Sequence, residues 1–218
     1  LGAANRAAGQ RDVVVCAAGG LPGELHKLWR TPEHGGYHME YGYSCMGYEI
    51  AGGLGVKIAD PSREVFVLVG DGSYLMMNSE IATSVLMGKK LIIVVLDNGG
   101  FGCINRLQRA CGGESFNNLF ASVRTDGELP QIDFAAHAAS LGAISEHVAS
   151  LAELETALER AKEANRTYVI TIETDAISTT EDGGAWWDVA VPEVSERAEV
   201  RAARENYVVA TKKQRTGE

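Results

Sequence analysis

The chain is poor in the features that would tie it to an oxidising compartment, a membrane or a nucleic acid. Its four cysteines, Cys16, Cys45, Cys103 and Cys111, show no C-x-x-C spacing. Two of them sit in or beside core-like segments, so reduced thiols in the cytoplasm are the expectation, and a nucleophilic role for Cys45 or Cys103 gains little support. No stretch approaches the ~20 consecutive apolar residues that cross a bilayer. The N-terminus lacks a charged region followed by an apolar one, so neither a membrane span nor a signal peptide is expected. There is no lysine or arginine run, and the formal net charge is −9, which argues against a nucleic-acid partner. A G-x-G-x-x-G fingerprint is absent after every strand that can be placed, which weakens a nucleotide-binding reading of Rossmann type.

What remains is an α/β pattern. At 218 residues, 45 % hydrophobic and 22 % charged, the chain can bury a full core but is small for two domains. Val13 to Cys16, Val65 to Val69, Leu91 to Leu96, Ala143 to His147 and Tyr168 to Glu173 read as strands. The β-branched runs Val65 to Val69 and Leu91 to Leu96 read as buried parallel strands. Helices are predicted over Leu1 to Ala8, Asn78 to Met87 with Gly88 as its stop, Ile132 to Leu141 and Ser150 to Ala164. In the last, Ser150 and Glu153 form a capping-box pattern, and Leu151, Leu154, Leu158 and Ala161 form an apolar stripe. The tail from Ser195 reads as helical to about Asn206. A mostly parallel sheet with helices on both faces, a three-layer sandwich, is the expected architecture.

The most informative stretch runs from Gly70 to Gly102, GDGSYLMMNSEIATSVLMGKKLIIVVLDNGGFG. It places Asp71 at the carboxyl end of one buried strand and Asn98 at the equivalent end of the next. In open parallel sheets ligands collect beyond those ends, so two oxygen-bearing side chains there can converge on one cation. Magnesium prefers such a set, one carboxylate, an amide oxygen and a carbonyl, completed by phosphate oxygens at roughly 2.1 Å. Gly70 and Gly72 let the main chain approach phosphates, and Gly72 and Ser73 offer N–H groups where the chain enters a helix. Taken singly, GDG and LDNGG are ordinary turns; together, each after a buried strand and with a helix between, they point to a metal-bound diphosphate.

These residues resemble the motif of the thiamine diphosphate-dependent enzymes of acetolactate synthase and pyruvate decarboxylase type, over Asp12 to about Thr174. The resemblance implies thiamine diphosphate and Mg2+ as cofactors, Asp71, Asn98 and the Gly100 carbonyl as metal ligands, and Phe101 beside the cofactor. Asp97 stands where an asparagine is common. Cys45 to Gly55, CMGYEIAGGLG, resembles the family stretch whose bulky apolar residue wedges under the cofactor, implying that role for Met46; a core gap-filler is the plain alternative. Leu25 to Trp29 resembles another family segment and would bring His26 near the diphosphate or substrate. His34 and His38, in a polar, glycine-rich loop, would border the same mouth, where a histidine could shuttle protons or merely line the loop.

Three stretches, YHMEYGYSCMGYEIAGGLGVKIA, LDNGGFGCINRLQ and STTEDGGAWWDVAVPEVS, narrow the resemblance to the trihydroxycyclohexanedione hydrolases, which open a cyclic diketone in inositol catabolism. It then implies a C-terminal diphosphate-binding domain, residues 1–175, followed by an extension, 176–218. The pyrimidine-binding and central domains would lie upstream with the activating glutamate, and the site would form between subunits of an oligomer, at least a dimer. The segment 109–129 would be disordered without ligand and would cover the bound cofactor as a lid. Glu181 and Asp182, within 179–187, could serve acid–base chemistry or form a turn before Trp186 and Trp187. An acetolactate-synthase-like carboligase shares all of these cofactor residues, and an assembly domain that lost its cofactor is the alternative from another class.

Overall fold

A computed structural model describes residues 1–123, 131–180 and 189–214. They belong to two compact units, Leu1–Gly100 with Pro130–Asp175, and Phe101–Leu129 with Ala176–Glu218.

The first unit is built on a six-stranded, all-parallel sheet. Its strands are β1 (Val13–Cys16), β2 (Tyr37–Met39), β3 (Val65–Gly70), β4 (Ile92–Asp97), β5 (Ile144–Val148) and β6 (Tyr168–Glu173), in the spatial order β2-β1-β3-β4-β6-β5. VFVLVG and IIVVLD lack the polar alternation of a half-wet strand, and a parallel sheet explains why, since both of its faces are covered. One face packs Val14, Phe66, Leu68, Ile92 and Ile170 against Leu25 and the stripe Leu154, Ala157, Leu158 and Ala161. The other packs Val15, Val67, Val69, Ile93 and Val95 against Ile50, Leu54, Tyr74, Ile81 and Phe134. Helices α1 (Gly2–Ala7), α2 (Leu21–Leu28) and α9 (Leu151–Glu163) thus supply one outer layer, and α3 (Tyr48–Ala59), α4 (Asp71–Met76), α5 (Glu80–Leu86) and α8 (Phe134–Ser140) supply the other. The expected three-layer sandwich is present.

Several local expectations change. The connection from β3 to β4 holds two helices rather than one, because helix begins at Asp71 itself and breaks at Met77, φ −153° and ψ 85°. The Asn78 side-chain amide caps that first helix by donating to Tyr74 O at 3.1 Å. Gly88, at φ 61°, follows the end of α5. His38 lies on edge strand β2 rather than in a loop, opposite Val15 in the register; the partner that makes Tyr37–Met39 a strand is more than twenty residues away and leaves no local trace. In α9 the Ser150 Oγ accepts from Glu153 N–H at 3.2 Å as the capping pattern predicts, an arrangement worth about 1 kcal/mol. Leu151, however, is exposed and stands outside the apolar stripe, its place taken by Ala157.

The second unit contains α6 (Gly102–Ala110), α7 (Phe120–Val123) and α10 (Ala198–Thr211). The last extends five residues past the expected Asn206. Arg197 ties it to the segment after α6 through Glu114, at 2.7 Å, and the Gly112 carbonyl, at 3.3 Å. The segment expected as a lid is described only to Val123, where α7 gives it regular structure; Glu181, Asp182, Trp186 and Trp187 lie outside the described residues.

Candidate functional site

The strand order reverses between β1 and β3, where one connection leads outward to β2 and the other leads the opposite way to β4. Such a switch point opens a crevice at the carboxyl ends of the strands, and the polar residues of the first unit gather there.

Gly70 closes β3 and serves as the extended N-cap of α4, so Asp71 is buried at the strand end, 1 % exposed. One of its oxygens, Oδ2, accepts the Gly100 main-chain N–H at 2.6 Å. The other, Oδ1, is buried with no hydrogen-bond partner. On the neighbouring strand, Asp97 turns its carboxylate back onto Gly99 N–H at 2.9 Å, and its carbonyl receives the Thr174 N–H at 2.7 Å. The chain then passes through Asn98 to Gly99 and Gly100, at φ 76° and 136°, a course that side chains with a Cβ rarely follow. Asn98 Oδ1 is likewise buried without a donor.

Two acceptor oxygens in search of a partner, beside two acidic groups, are costly to bury. Burial, then the neighbouring Asp97 charge, pushes the Asp71 carboxyl up to about 7, against the pull of the Gly100 and Gly72 N–H groups. A divalent cation would satisfy both orphaned oxygens and favour the ionised carboxylate. The set is one carboxylate, one amide and main-chain carbonyls, which suits magnesium better than zinc. No group of three or more His, Cys, Asp or Glu that could hold a metal ion occurs among the described residues.

Other residues singled out from the sequence fall as follows. Gly72 and Ser73 are buried in the first turn of α4, the Ser73 hydroxyl without a hydrogen-bond partner. Met46 occupies a corner of a tight turn in which Tyr48 N–H reaches Cys45 O at 3.3 Å and Gly47 takes φ 92°, ψ −8°, the type II signature. His26, on α2, pairs through Nδ1 with the Tyr37 hydroxyl at 2.9 Å. His38 pairs through Nε2 with the Tyr48 hydroxyl at 2.6 Å and stacks on that ring. Phe101 opens the second unit, its N–H donating to Asn118 O at 2.7 Å. Slight desolvation and the adjacent Glu40 hold the exposed Cys45 thiol above its ordinary value, which disfavours the thiolate a nucleophile requires.

One buried acid escaped sequence reasoning. Glu49, 1 % exposed, lies in the first turn of α3 and accepts main-chain N–H groups from Ala18, at 3.3 Å, and Gly47, at 3.0 Å. Burial raises its pKa. The available signal was its position, a glutamate set among apolar residues that otherwise face the sheet.

Comparison with known families identifies the domain. The description "Thiamine pyrophosphate enzyme, C-terminal TPP binding domain" matches residues 17–172. The chain belongs to this family. Thiamine diphosphate with Mg2+ is the family's cofactor. Among curated relatives of this TPP-binding domain, the 3D-(3,5/4)-trihydroxycyclohexane-1,2-dione hydrolase of Bacillus cereus (strain AH820) is 45 % identical over 213 residues, 95 % of this chain and 33 % of that protein. The hydrolase of the same name from Bacillus anthracis (strain CDC 684 / NRRL 3495) is 46 % identical over 201 residues, 90 % of this chain and 31 % of that protein. The chain thus spans about a third of the length of these relatives. Among solved structures, the thiamine diphosphate-dependent 4-hydroxybenzoylformate decarboxylase of Rhodococcus jostii RHA1 superposes with a TM-score of 0.71 at 20 % identity, over 80 % of this chain and 31 % of that one. At that identity the likeness is one of fold. No helix among the described residues is long and apolar enough to cross a membrane.

Proposed function

We propose that this chain is the cofactor-binding domain of a thiamine diphosphate- and Mg2+-dependent hydrolase that opens the ring of trihydroxycyclohexane-1,2-dione in inositol catabolism. The observation that carries the reading is the pair of buried, donorless oxygens, Asp71 Oδ1 and Asn98 Oδ1, on adjacent strand ends joined by the Gly100 N–H. The substrate assignment is supported by relatives of that name at 45 % identity.

In this reading Asp71, Asn98 and the Gly100 carbonyl hold the metal, and Gly70, Gly72 and Ser73 border the diphosphate. Met46 supports the cofactor's rings from its turn, with Phe101 beyond Gly100. Bound there, thiamine diphosphate supplies a nucleophilic carbon and an electron sink for breaking a carbon–carbon bond beside a carbonyl. His26 and His38 are the candidates for moving protons at the substrate, each already oriented by a tyrosine hydroxyl. The glutamate that activates the cofactor's pyrimidine belongs in this proposal to an upstream domain, with the site completed between subunits of a cytoplasmic oligomer.

Calorimetric titration with thiamine diphosphate, with and without magnesium, tests the cofactor site. Metal-dependent binding that Asp71→Ala abolishes is the expected result. Silence from the full-length protein would reject the reading in favour of an assembly role. Turnover of the cyclic dione, against pyruvate as the carboligase substrate, then tests the substrate.

A further inference from the structure

Besides Asp71, Glu49 is the most deeply buried carboxylate among the described residues, and the metal and diphosphate contacts leave it without a task. Its two oxygens face two different segments. Oε1 takes the N–H of Ala18, just beyond β1, and Oε2 takes the N–H of Gly47, directly after Met46. A second carboxylate acts on the other side of the same turn. Glu40 accepts Tyr43 N–H at 3.0 Å and Cys45 N–H at 2.7 Å, across Ser44, which is held at φ 52°. The main-chain N–H groups on both sides of Met46 therefore end on carboxylates.

The geometry fixes more than two hydrogen bonds. Gly47 N–H shares a rigid peptide plane with the Met46 carbonyl, so anchoring it sets the direction in which the Met46 residue leaves the turn. The turn is also braced from outside, since a Cβ on Gly47 would lie 2.9 Å from Met77 Cβ, at the C-cap of the helix that begins with Asp71. Glu49 thus joins the end of β1 to the Met46 turn, and that turn packs against the end of α4.

We propose that Glu49 and Glu40 are positioning residues that clamp the Met46 turn, and with it one wall of the cofactor site, in its binding geometry before the cofactor arrives. The inference rests on the functional reading above. Its physical content is preorganisation: a turn residue fixed during folding does not have to lose its backbone freedom when the ligand binds. Glutamine in place of Glu49 keeps the size but sets an NH2 group against one of the two N–H donors, so one arm of the clamp opens.

The test uses the full-length protein. Thiamine diphosphate affinity at saturating magnesium is measured for wild type, Glu49→Gln, Met46→Ala and the double variant, with the near-ultraviolet circular dichroism of the bound cofactor as the second readout. Glu49→Gln is expected to weaken binding at least about tenfold, to keep its dependence on magnesium and to alter the dichroism. In the double variant the substitution should add little to Met46→Ala, because both act through one side chain. Affinity within about twofold of wild type with unchanged dichroism, or strictly multiplicative effects, overturns the clamp. If Glu49→Gln fails to fold, amide exchange in the wild type decides: Ala18 and Gly47 amides should be protected without cofactor, and exchange at the free-amide rate overturns the proposal. Wild-type protein that binds no cofactor rejects the functional reading itself, and is seen before any variant is compared.

Discussion

The N–H of Gly100 donates to Asp71 Oδ2 at 2.6 Å, a bond between the loop that leaves β4 and the first residue of the helix that follows β3. By occupying one carboxylate oxygen it settles which remains for a ligand, Oδ1, and it brings the Asn98 segment against the same carboxylate. Four consequences can be measured.

Removing either donorless oxygen should disable the metal site. Asp71→Ala and Asn98→Ala are each expected to weaken magnesium-dependent binding of thiamine diphosphate at least about a hundredfold while the protein stays folded, because the proposed function makes each side-chain oxygen a metal ligand. Calorimetry with far-ultraviolet dichroism as the folding control checks both.

The raised pKa of Asp71 has a definite sign for stability. Its carboxyl titrates at 3.8 in the unfolded chain and at about 7 when folded, so the folded state binds this proton more tightly. The contribution is fully present below pH 3.8 and is lost as pH rises through 7. Thermal melts of metal-free protein should show wild type losing stability relative to Asp71→Asn between about pH 4 and 7 and running parallel to it above. Curves parallel over the whole range would contradict the burial described here.

Metal and proton compete for the same oxygen, so magnesium affinity should fall about tenfold per pH unit below 7. Asp97→Asn removes the second cause of the shift, the neighbouring negative charge, and should move that fall to lower pH. The new amide can still accept from Gly99 N–H. Titrations at three pH values on both proteins read the displacement directly.

Helix α3 approaches the sheet through Gly53, where a Cβ would lie 2.4 Å from Val67 Cγ2. Val67 is fully buried in β3, so it has no room to give. Gly53→Ala is expected to destabilise by about 1–3 kcal/mol despite the better helix propensity of alanine. Denaturant unfolding measures it, and loss of cofactor affinity should accompany it, because the helix carries Glu49 and follows Met46.

The legible part of this protein lies where local pattern and tertiary role coincide. Unbroken apolar runs such as VFVLVG and IIVVLD announce strands covered on both faces, and polar residues at their ends stand out because everything before them is apolar. Asp71 and Asn98 were visible in that way, whereas Gly100 was singled out only by the resemblance. Edge strand β2 was not, since Tyr37–Met39 becomes a strand only by pairing with Val14–Cys16. The separate helix α4 escaped notice because GDG also reads as a turn. Glu49 was passed over for a related reason, as nothing in CMGYEI reveals that two distant N–H groups converge on its carboxylate.

By itself the sequence determined the fold class, the alternation of strands and helices and which oxygen-bearing side chains close the two central strands, because these follow from hydrophobic periodicity and side-chain type. The tertiary structure decided which oxygen of Asp71 remains free, that Asp97 raises the pKa of its neighbour, and that Glu49 and Glu40 enclose the Met46 turn. Those outcomes depend on distances between groups far apart in the chain and on the water excluded around them, and both exist only once the sheet has assembled.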